Sequence, residues 1–186
     1  MAFVVVYDAC VLHPAPLRDL LLRVAGTGLF RAKWTEEILA ECFDSILRNR
    51  PDLDPGRLAR TRQLMIDSVP DCLVRNYEGI INGLALPDPQ DRHVLAAAIR
   101  AGAQTIVTSN LKDFPSDVLV SYDVVAQHPD EFLLHVLDLS PPTFLKVLEE
   151  QAGALRNPAV TLEELLAKLD QIGLGGLVAE VRRHAR

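Results

Sequence analysis

The sequence predicts a three-layer α/β/α fold with a central, mostly parallel sheet, followed by a helical extension at the C-terminus. The first observation is the run FVVVY (residues 3–7), whose valines are typical of a strand buried on both faces of a parallel sheet. The second is the alternation of apolar runs with amphipathic helical stretches, the pattern of βαβ units. The third is the pair Pro141-Pro142, beyond which only helical patterns follow. We therefore predict two domains, 1–139 and 140–186.

The elements of the first domain begin with the strand at its N-terminus. After it, leucines at helical spacing predict a helix over 17–28, which glycines end. LFRAKW (29–34) predicts a short strand. Residues 36–49 have a helical pattern with one apolar side, and residues 57–68 form a further predicted helix. DCLVRNY (71–77) is compatible with another short strand.

The second half of this domain contains the clearest patterns. DPQDRHVLAAAIRAG (88–102) predicts a helix, and AQTIVTSN (103–110) predicts the strand that follows it. VLVSYDVV (118–125) predicts a weaker strand, and HPDEFLLHVL (128–137) predicts the closing helix. In the second domain, TLEELLAKLDQIG (161–173) begins with a capping box and carries a stripe of leucines.

Composition and charge exclude several classes of protein. With 49% hydrophobic and 24% charged residues, the chain has ordinary globular composition. A net charge of −6 argues against a generally basic coat protein, although a local basic patch can still bind nucleic acid. Cys10, Cys42 and Cys72 form no CxxC pair, which argues against a zinc ribbon or a disulfide framework. The N-terminal apolar run is too short to span a bilayer. We therefore expect a cytoplasmic protein without a signal peptide.

Three aspartates lie near the ends of predicted elements. Asp8 directly follows the first strand, Asp113 lies just beyond strand 103–110, and Asp91 is in the first turn of the helix before that strand. Ligands of an open parallel sheet bind outside the carboxyl ends of its strands, so these acids converge if the two strands are neighbours. Converging carboxylates repel one another unless a cation lies between them. Oxygen ligands of this kind suit Mg²⁺ or Mn²⁺, which can activate water for phosphoryl displacement.

Each acid also has a purely structural explanation. An aspartate in the first helical turn, such as Asp91, interacts favourably with the helix dipole. Asp88 precedes Pro89 and is the better capping residue. An acid such as Asp8 at the end of a strand can simply form a turn. Periodicity places Glu41 away from the apolar side of its helix, on a solvated face. The residues by themselves leave both explanations open.

Four pieces of the sequence, taken together, resemble a known family. They are Asp8 after the first strand, EEILAEC (36–42), the long block 86–114, and HPDEFL (128–133). In this order they resemble the PIN domain, and in particular the VapC-like toxin ribonucleases of bacterial toxin–antitoxin pairs, over about residues 3–138. The resemblance implies a PIN-like α/β fold and an RNA-cleaving enzyme. It also implies that acidic side chains hold one or two Mg²⁺ or Mn²⁺ ions.

The resemblance further implies a role for each matching residue. The implied catalytic and metal-binding acids are Asp8, Glu41, Asp91 and Asp113. Asp88 would be an auxiliary acid or a cap. Many relatives carry Thr-x-Asp after the last strand of the motif, where this chain has Thr108-Ser109-Asn110. Asn110 keeps an oxygen ligand but no charge, which puts tight binding of a second metal in doubt. Thr108 and Ser109 would orient the Asp113 carboxylate or contact a phosphate.

Partners follow from the same resemblance. The substrate would be RNA, and the family implies a protein antitoxin and a homodimer. Basic residues around the second and third helices are candidates for phosphate contacts or for a solvated face; they are Arg48, Arg50, Arg57, Arg60 and Arg62. Arg92, beside the acids, is better placed to steer a phosphate. The leucine stripe of the C-terminal extension favours packing on the first domain over a role in the dimer or in antitoxin binding.

Two other functions compete with a metal-dependent ribonuclease. A phosphatase of the haloacid-dehalogenase type also begins with a strand that ends in Asp, but it has a second Asp two residues on, where this chain has Cys10. A PIN-like module could instead bind RNA or protein without catalysis. The retained acids argue against that reading, and Asn110 keeps it open.

Overall fold

Four short strands, all parallel, form the centre of the fold. The computed structural model describes residues 3–156 and 158–184. The strands are β1 (Val4–Tyr7), β2 (Arg31–Lys33), β3 (Thr105–Val107) and β4 (Val125–Gln127). Their order in the sheet is β2-β1-β3-β4, so the strands that precede Asp8 and Asp113 are neighbours. This arrangement confirms the predicted parallel sheet.

Helices flank the sheet and make up the C-terminal part of the chain. The helices of the sheet-containing part are α1 (Ala9–Leu12), α2 (Ala15–Gly26), α3 (Glu36–Asn49), α4 (Pro55–Ser68), α5 (Glu78–Ile81), α6 (Arg92–Ala101), α7 (Ser116–Leu119) and α8 (Pro129–Leu139). Those that follow are α9 (Pro141–Ala154), α10 (Leu162–Gln171) and α11 (Gly175–His184). The predicted three-layer α/β fold with C-terminal helices is therefore confirmed.

The N-terminal strand is buried as its composition predicts. Val5, Val6 and Tyr7 are fully buried, and the Tyr7 hydroxyl donates to the Leu21 carbonyl at 3.1 Å. The Tyr7 ring stacks on Trp34, with 6.1 Å between the ring centroids. Tyr7 thus anchors the end of β1, immediately before the first acid.

The predicted strand at 118–125 is wrong. Residues Ser116–Leu119 are helix α7, a 3₁₀ turn follows, and strand β4 begins only at Val125. Pro115 precedes the helix, and Asp123 takes a left-handed conformation with φ of 55°, which turns the chain just before β4. These two local turns override the strand propensity of the valines between them.

The segment 71–77 forms only an isolated bridge instead of the predicted strand. Leu73 pairs with Trp34 beside β2. Asp71 and Asn76 have left-handed backbones, with φ of 56° and 60°, so the chain turns at both ends of the bridge. An extended strand therefore cannot continue in either direction.

The C-terminal helices pack on the sheet-containing part, as the leucine stripe predicts. Leu165 and Leu169 of α10 are fully buried within the same apolar core as α2 and α8. Gln151 of α9 donates to the Pro16 carbonyl at 2.9 Å. The domain boundary between 139 and 140 stays a prediction. Among the helices of residues 3–156 and 158–184, none has the length and apolar character needed to cross a membrane.

Candidate active site

Asp8 lies where the carboxyl ends of β1 and β3 meet. Its backbone N–H donates to the Val107 carbonyl at 3.1 Å, which continues the pairing of these strands. Its carboxylate caps α1, with Oδ1 accepting from the Ala9 N–H at 2.6 Å. Oδ2 accepts from the Thr108 hydroxyl at 2.7 Å and from the Cys10 thiol at 3.1 Å. With 6% exposure, Asp8 is a buried carboxylate held in one orientation.

The segment Thr108-Ser109-Asn110 supports this carboxylate. Thr108 is fully buried, and its Oγ1 also accepts from the Asn110 N–H at 3.0 Å. The Ser109 N–H donates to the Cys10 sulfur at 3.3 Å. Burial, followed by the charge of Asp8, raises the pKa of Cys10 to about 12, so its thiol keeps its proton at neutral pH. The segment therefore fixes Asp8, whereas we expected Thr108 and Ser109 to orient Asp113.

The predicted acids other than Asp113 share one cavity of about 610 Å³, which we call the acidic cleft. Its lining includes the predicted site residues Asp8, Glu41, Asp88, Asp91, Asn110 and Arg48. Asp113 is not part of this lining, and it lies in the 3₁₀ turn Leu111–Asp113 just beyond β3. The structure therefore brings together the acids from β1, α3 and the start of α6, with Asp113 beside them.

The charges of three of these acids act on Asp91. Burial, followed by the charges of Asp8, Asp88 and Asp113, raises the pKa of Asp91 from 3.8 to about 6. The carboxylate of Asp91 accepts no hydrogen bond within the described part of the chain, whereas Asp88 caps its 3₁₀ turn by accepting from the Gln90 N–H at 2.8 Å. Asp88 thus has the capping role predicted for it, and Asp91 is left facing the other carboxylates.

The donor set fits a hydrated hard cation. Within residues 3–156 and 158–184, no three His, Cys, Asp or Glu side chains are close enough to enclose a metal ion. Mg²⁺ does not need such a cage, because it keeps several water ligands and binds through one or two carboxylates. Asp8 and Asp91 supply carboxylates that repel each other across an open space, and Asn110 adds an amide oxygen at its edge. This chemistry suits Mg²⁺ or Mn²⁺ better than a softer metal.

His93 is the site residue that the sequence did not reveal. We expected it on a helix flank, but it is 4% exposed on the inner side of α6. Its Nε2 lies 3.1 Å from Glu41 Oε1, and its Nδ1 lies 3.7 Å from Glu37 Oε2. Burial alone lowers the pKa of His93, but the Glu41 hydrogen bond and the charges of Glu37 and Asp8 outweigh it and raise the pKa overall. In the sequence, the signal that could have placed His93 inside is the run VLAAA directly after it, which contains no polar residue. All six residues from His93 to Ala98 are buried.

The predicted RNA-binding arginines divide into two groups. Arg48 is exposed and lines the acidic cleft, and Arg92 follows Asp91 at the start of α6. Arg50 instead binds Asp52 at 2.7 Å, in a pair that is local and solvent-exposed. Other members lie on α4 outside the cleft; they are Arg57, Arg60 and Arg62, the last paired with Glu36. RNA binding by all of these residues stays a prediction.

Comparison with known proteins gives matches in both parts of the chain. The family described as "PIN domain" matches residues 4–112, and the family described as "VapC50 C-terminal domain" matches residues 129–183. A protein of Mycobacterium tuberculosis (strain ATCC 25618 / H37Rv) named "Putative ribonuclease VapC50" is 46% identical over 82 residues. These residues are 44% of this chain and 48% of the relative, so the match spans about half the length of that protein. No solved structure matches the chain.

Proposed function

Because the chain belongs to the PIN-domain family, we propose that it is an endoribonuclease that depends on Mg²⁺ or Mn²⁺ and acts as the toxin of a toxin–antitoxin pair. The observation that carries this proposal is the acidic cleft, where Asp8, Glu41 and Asp91 face one space at the carboxyl ends of β1 and β3. The relative named as a ribonuclease supports RNA as the substrate. A protein antitoxin and a homodimer are part of the same proposal.

In this function each acid has a distinct task. Asp8 and Asp91 would hold the ion, with Glu41 and Asp113 contributing from the sides. When bound, the ion supplies an activated water and neutralises charge on the scissile phosphate. Thr108 and Cys10 keep Asp8 Oδ2 in place, so the carboxylate does not have to reorient during the reaction. Arg48, at the edge of the cleft, would bind a flanking phosphate.

The alternative functions differ in what supports them. The PIN match gives no support to the phosphatase hypothesis. Phosphatases of that type need a second Asp at the position of Cys10. The Cys10 thiol instead donates to Asp8 and keeps its proton. The non-catalytic module has one observation in its favour, since Asn110 lines the cleft where a carboxylate stands in many relatives. A cleavage assay separates this module from the nuclease.

The assay compares the parent with Asp8→Asn and with Glu149→Gln, an exposed charge-neutralising control on α9. Labelled single-stranded and structured RNAs are incubated with Mg²⁺, with Mn²⁺ or with EDTA. We expect cleavage by the parent and by Glu149→Gln with either ion, and none with EDTA or with Asp8→Asn. Cleavage that survives both EDTA and Asp8→Asn contradicts the metal-nuclease proposal. Metal-dependent stabilisation of a parent that cuts no RNA would favour the non-catalytic module.

The toxin and the dimer need tests of their own. Expression of the parent should arrest growth, and expression of Asp91→Asn should not. Co-expression of the antitoxin, sought as a small protein encoded beside the gene, should relieve the arrest. Light scattering after gel filtration should give a mass of twice 20.5 kDa. Growth arrest by Asp91→Asn equal to that by the parent would contradict the toxin proposal, and a monomeric mass would contradict the dimer.

A further inference from the structure

A second charged cavity, which we call the basic cavity, lies beside the edge strand β2 and the C-terminal end of α6. Its volume is about 400 Å³, and its lining is Arg31, Lys33, Val74, Arg75, Arg100 and Ala101. Arg31 pairs in register with Val4 at the start of β1, whereas Asp8 follows the end of β1. Helix α6 connects the two sites, because Asp91 precedes it and Arg100 is in its last turn. Nine residues of helix correspond to about 14 Å along the axis.

The basic cavity has an excess of positive charge. Asp71 is the acid that offsets it, since its Oδ2 accepts from Arg31 and from Lys33 at 2.7 Å each. Within the described ranges, Arg75 and Arg100 form no ion pair with a carboxylate. Four cations therefore face one carboxylate in a chain whose net charge is −6. Arg100 also offsets the dipole of α6, but Arg75 has no comparable structural task.

The backbone that carries the cations is fixed by the fold, and one of the cations is buried. Lys33 is only 8% exposed, and its ammonium group donates to both the carboxylate and the carbonyl of Asp71. The segment that carries Arg75 is fixed beside β2 by two backbone hydrogen bonds with Trp34. The Trp34 N–H donates to the Cys72 carbonyl at 2.9 Å, and the Val74 N–H donates to the Trp34 carbonyl at 2.8 Å. An anion that enters the basic cavity would therefore meet one buried ammonium group already in position, on a backbone that needs little ordering.

We propose that the basic cavity binds the phosphate backbone of RNA, as a second contact that holds the substrate while it is cut in the acidic cleft. This inference rests on the proposed function. Guanidinium groups bind phosphate oxygens through paired hydrogen bonds, and Arg31, Arg75 and Arg100 are all exposed. An acidic protein segment fits less well, because Val74 and Ala101 offer little of the apolar surface on which protein interfaces depend.

A second contact on the far side of α6 has a consequence for the substrate. An RNA must extend over at least the length of α6, about 14 Å, to contact both sites. A dinucleotide, at about 3.4 Å of axis per nucleotide, is too short, whereas a longer RNA can reach both. The basic cavity therefore favours RNA that continues beyond the cut site, held by its backbone irrespective of sequence.

The test compares RNA binding by the parent and by the double variant Arg75→Gln/Arg100→Gln. The control is Lys146→Gln/Arg183→Gln, which removes the same charge from exposed positions on α9 and α11. Binding is measured in EDTA, where the proposed nuclease is inactive, with a structured RNA of about 70 nucleotides and with a dinucleotide. Because no cleavage is needed, the result stands even if the parent proves not to cut RNA. Melting curves by circular dichroism verify that all the variants fold.

We expect the double variant to bind the structured RNA about tenfold or more weakly than the parent does at 50 mM salt. The slope of log affinity against log salt should decrease by about 1.4 to 1.8, from the loss of two phosphate contacts at about 0.7 each in single-stranded or about 0.9 each in double-stranded segments. The advantage of long over short RNA, present in the parent and the control, should largely disappear. Affinity and slope equal to those of the parent would overturn the inference, and so would an equal loss in the control.

Two further probes decide between RNA and other anions. Inorganic phosphate and a polyglutamate peptide are titrated into the parent and the double variant by calorimetry. If the double variant binds inorganic phosphate more weakly than the parent but binds RNA equally well, the basic cavity is a site for free phosphate and the inference is overturned. An effect limited to polyglutamate would overturn it in favour of an acidic protein partner. Competition of the structured RNA with phosphate at the basic cavity supports it.

Discussion

Repulsion in the acidic cleft predicts that removal of one charge stabilises the metal-free protein. Burial, with the charges of Asp8, Asp88 and Asp113, raises the pKa of Asp91 from 3.8 to about 6. A carboxyl group with a raised pKa binds more protons in the folded than in the unfolded state. The free energy of unfolding therefore decreases as the pH rises from about 4 to about 6, and the full destabilisation remains above that range. Asp91→Asn removes this destabilisation.

The magnitude follows from the pKa of Asp91. The difference between 3.8 and about 6 corresponds to about 3 kcal/mol, at about 1.4 kcal/mol for each pH unit. Asp91 is only half-buried, so solvent screening reduces this figure to about 1.5 kcal/mol. The variant also loses a favourable charge beside the N-terminus of α6, which costs about 0.5 kcal/mol. We therefore expect Asp91→Asn to raise the free energy of unfolding by about 1 kcal/mol at pH 7.5.

Urea unfolding in EDTA measures this difference. The parent, Asp91→Asn and the control Glu149→Gln are compared at pH 7.5 and at pH 4, where the gain of Asp91→Asn should largely vanish. Addition of Mg²⁺ at pH 7.5 should then stabilise the parent more than Asp91→Asn, because binding to the folded state shifts the equilibrium. An Asp91→Asn protein that is less stable than the parent in EDTA at pH 7.5, or that gains as much at pH 4, would refute the reasoning.

Three further predictions concern other parts of the molecule. His93 has a raised pKa, so its protonated form stabilises the fold below pH 6.5 and this contribution is lost as the pH rises through the folded pKa. In EDTA, His93→Gln should therefore cost about 1.5–3 kcal/mol at pH 6 and less at pH 9, and an equal cost at both would contradict the charged pair with Glu41. Because its pKa is about 12, Cys10 should react with iodoacetamide at pH 8 far more slowly in the folded than in the urea-unfolded protein, as followed by mass spectrometry. Leu165→Ala should cost about 2–5 kcal/mol in one urea transition, since Leu165 is fully buried, and a separate early transition would show that the C-terminal helices unfold alone.

Local patterns were enough to predict most of the elements. The valines of β1, the helical period of residues 88–102 and the capping box at Thr161 each act within a few residues of the chain, and all three appear as predicted. The prediction failed at 118–125, where valines favour a strand but Pro115 and Asp123 turn the chain. A turn that depends on single residues can outweigh propensity summed over a segment.

Most of the acids could be predicted from the sequence alone, and one could not. The sequence shows that Asp8, Asp91 and Asp113 lie near the ends of predicted elements. Because the carboxyl ends of parallel strands meet at one edge of a sheet, it also predicts that these acids converge. Glu41 was found only through the family resemblance, since its helix places it on a solvated face. The structure explains how it joins the cleft, because the buried His93 reaches across from α6 to hold it.

Contacts between distant segments depend on the order of the strands in the sheet. Arg31 and Arg100 are about 70 positions apart, and they line one cavity because β2 lies beside β1 and α6 packs against β1. No local period or cap encodes such a neighbourhood. Hydrogen bonding and apolar burial select the order of the strands for the whole chain at once. The sequence patterns therefore predict the elements and the acids at their ends. Tertiary packing decides which charged side chains share a cavity.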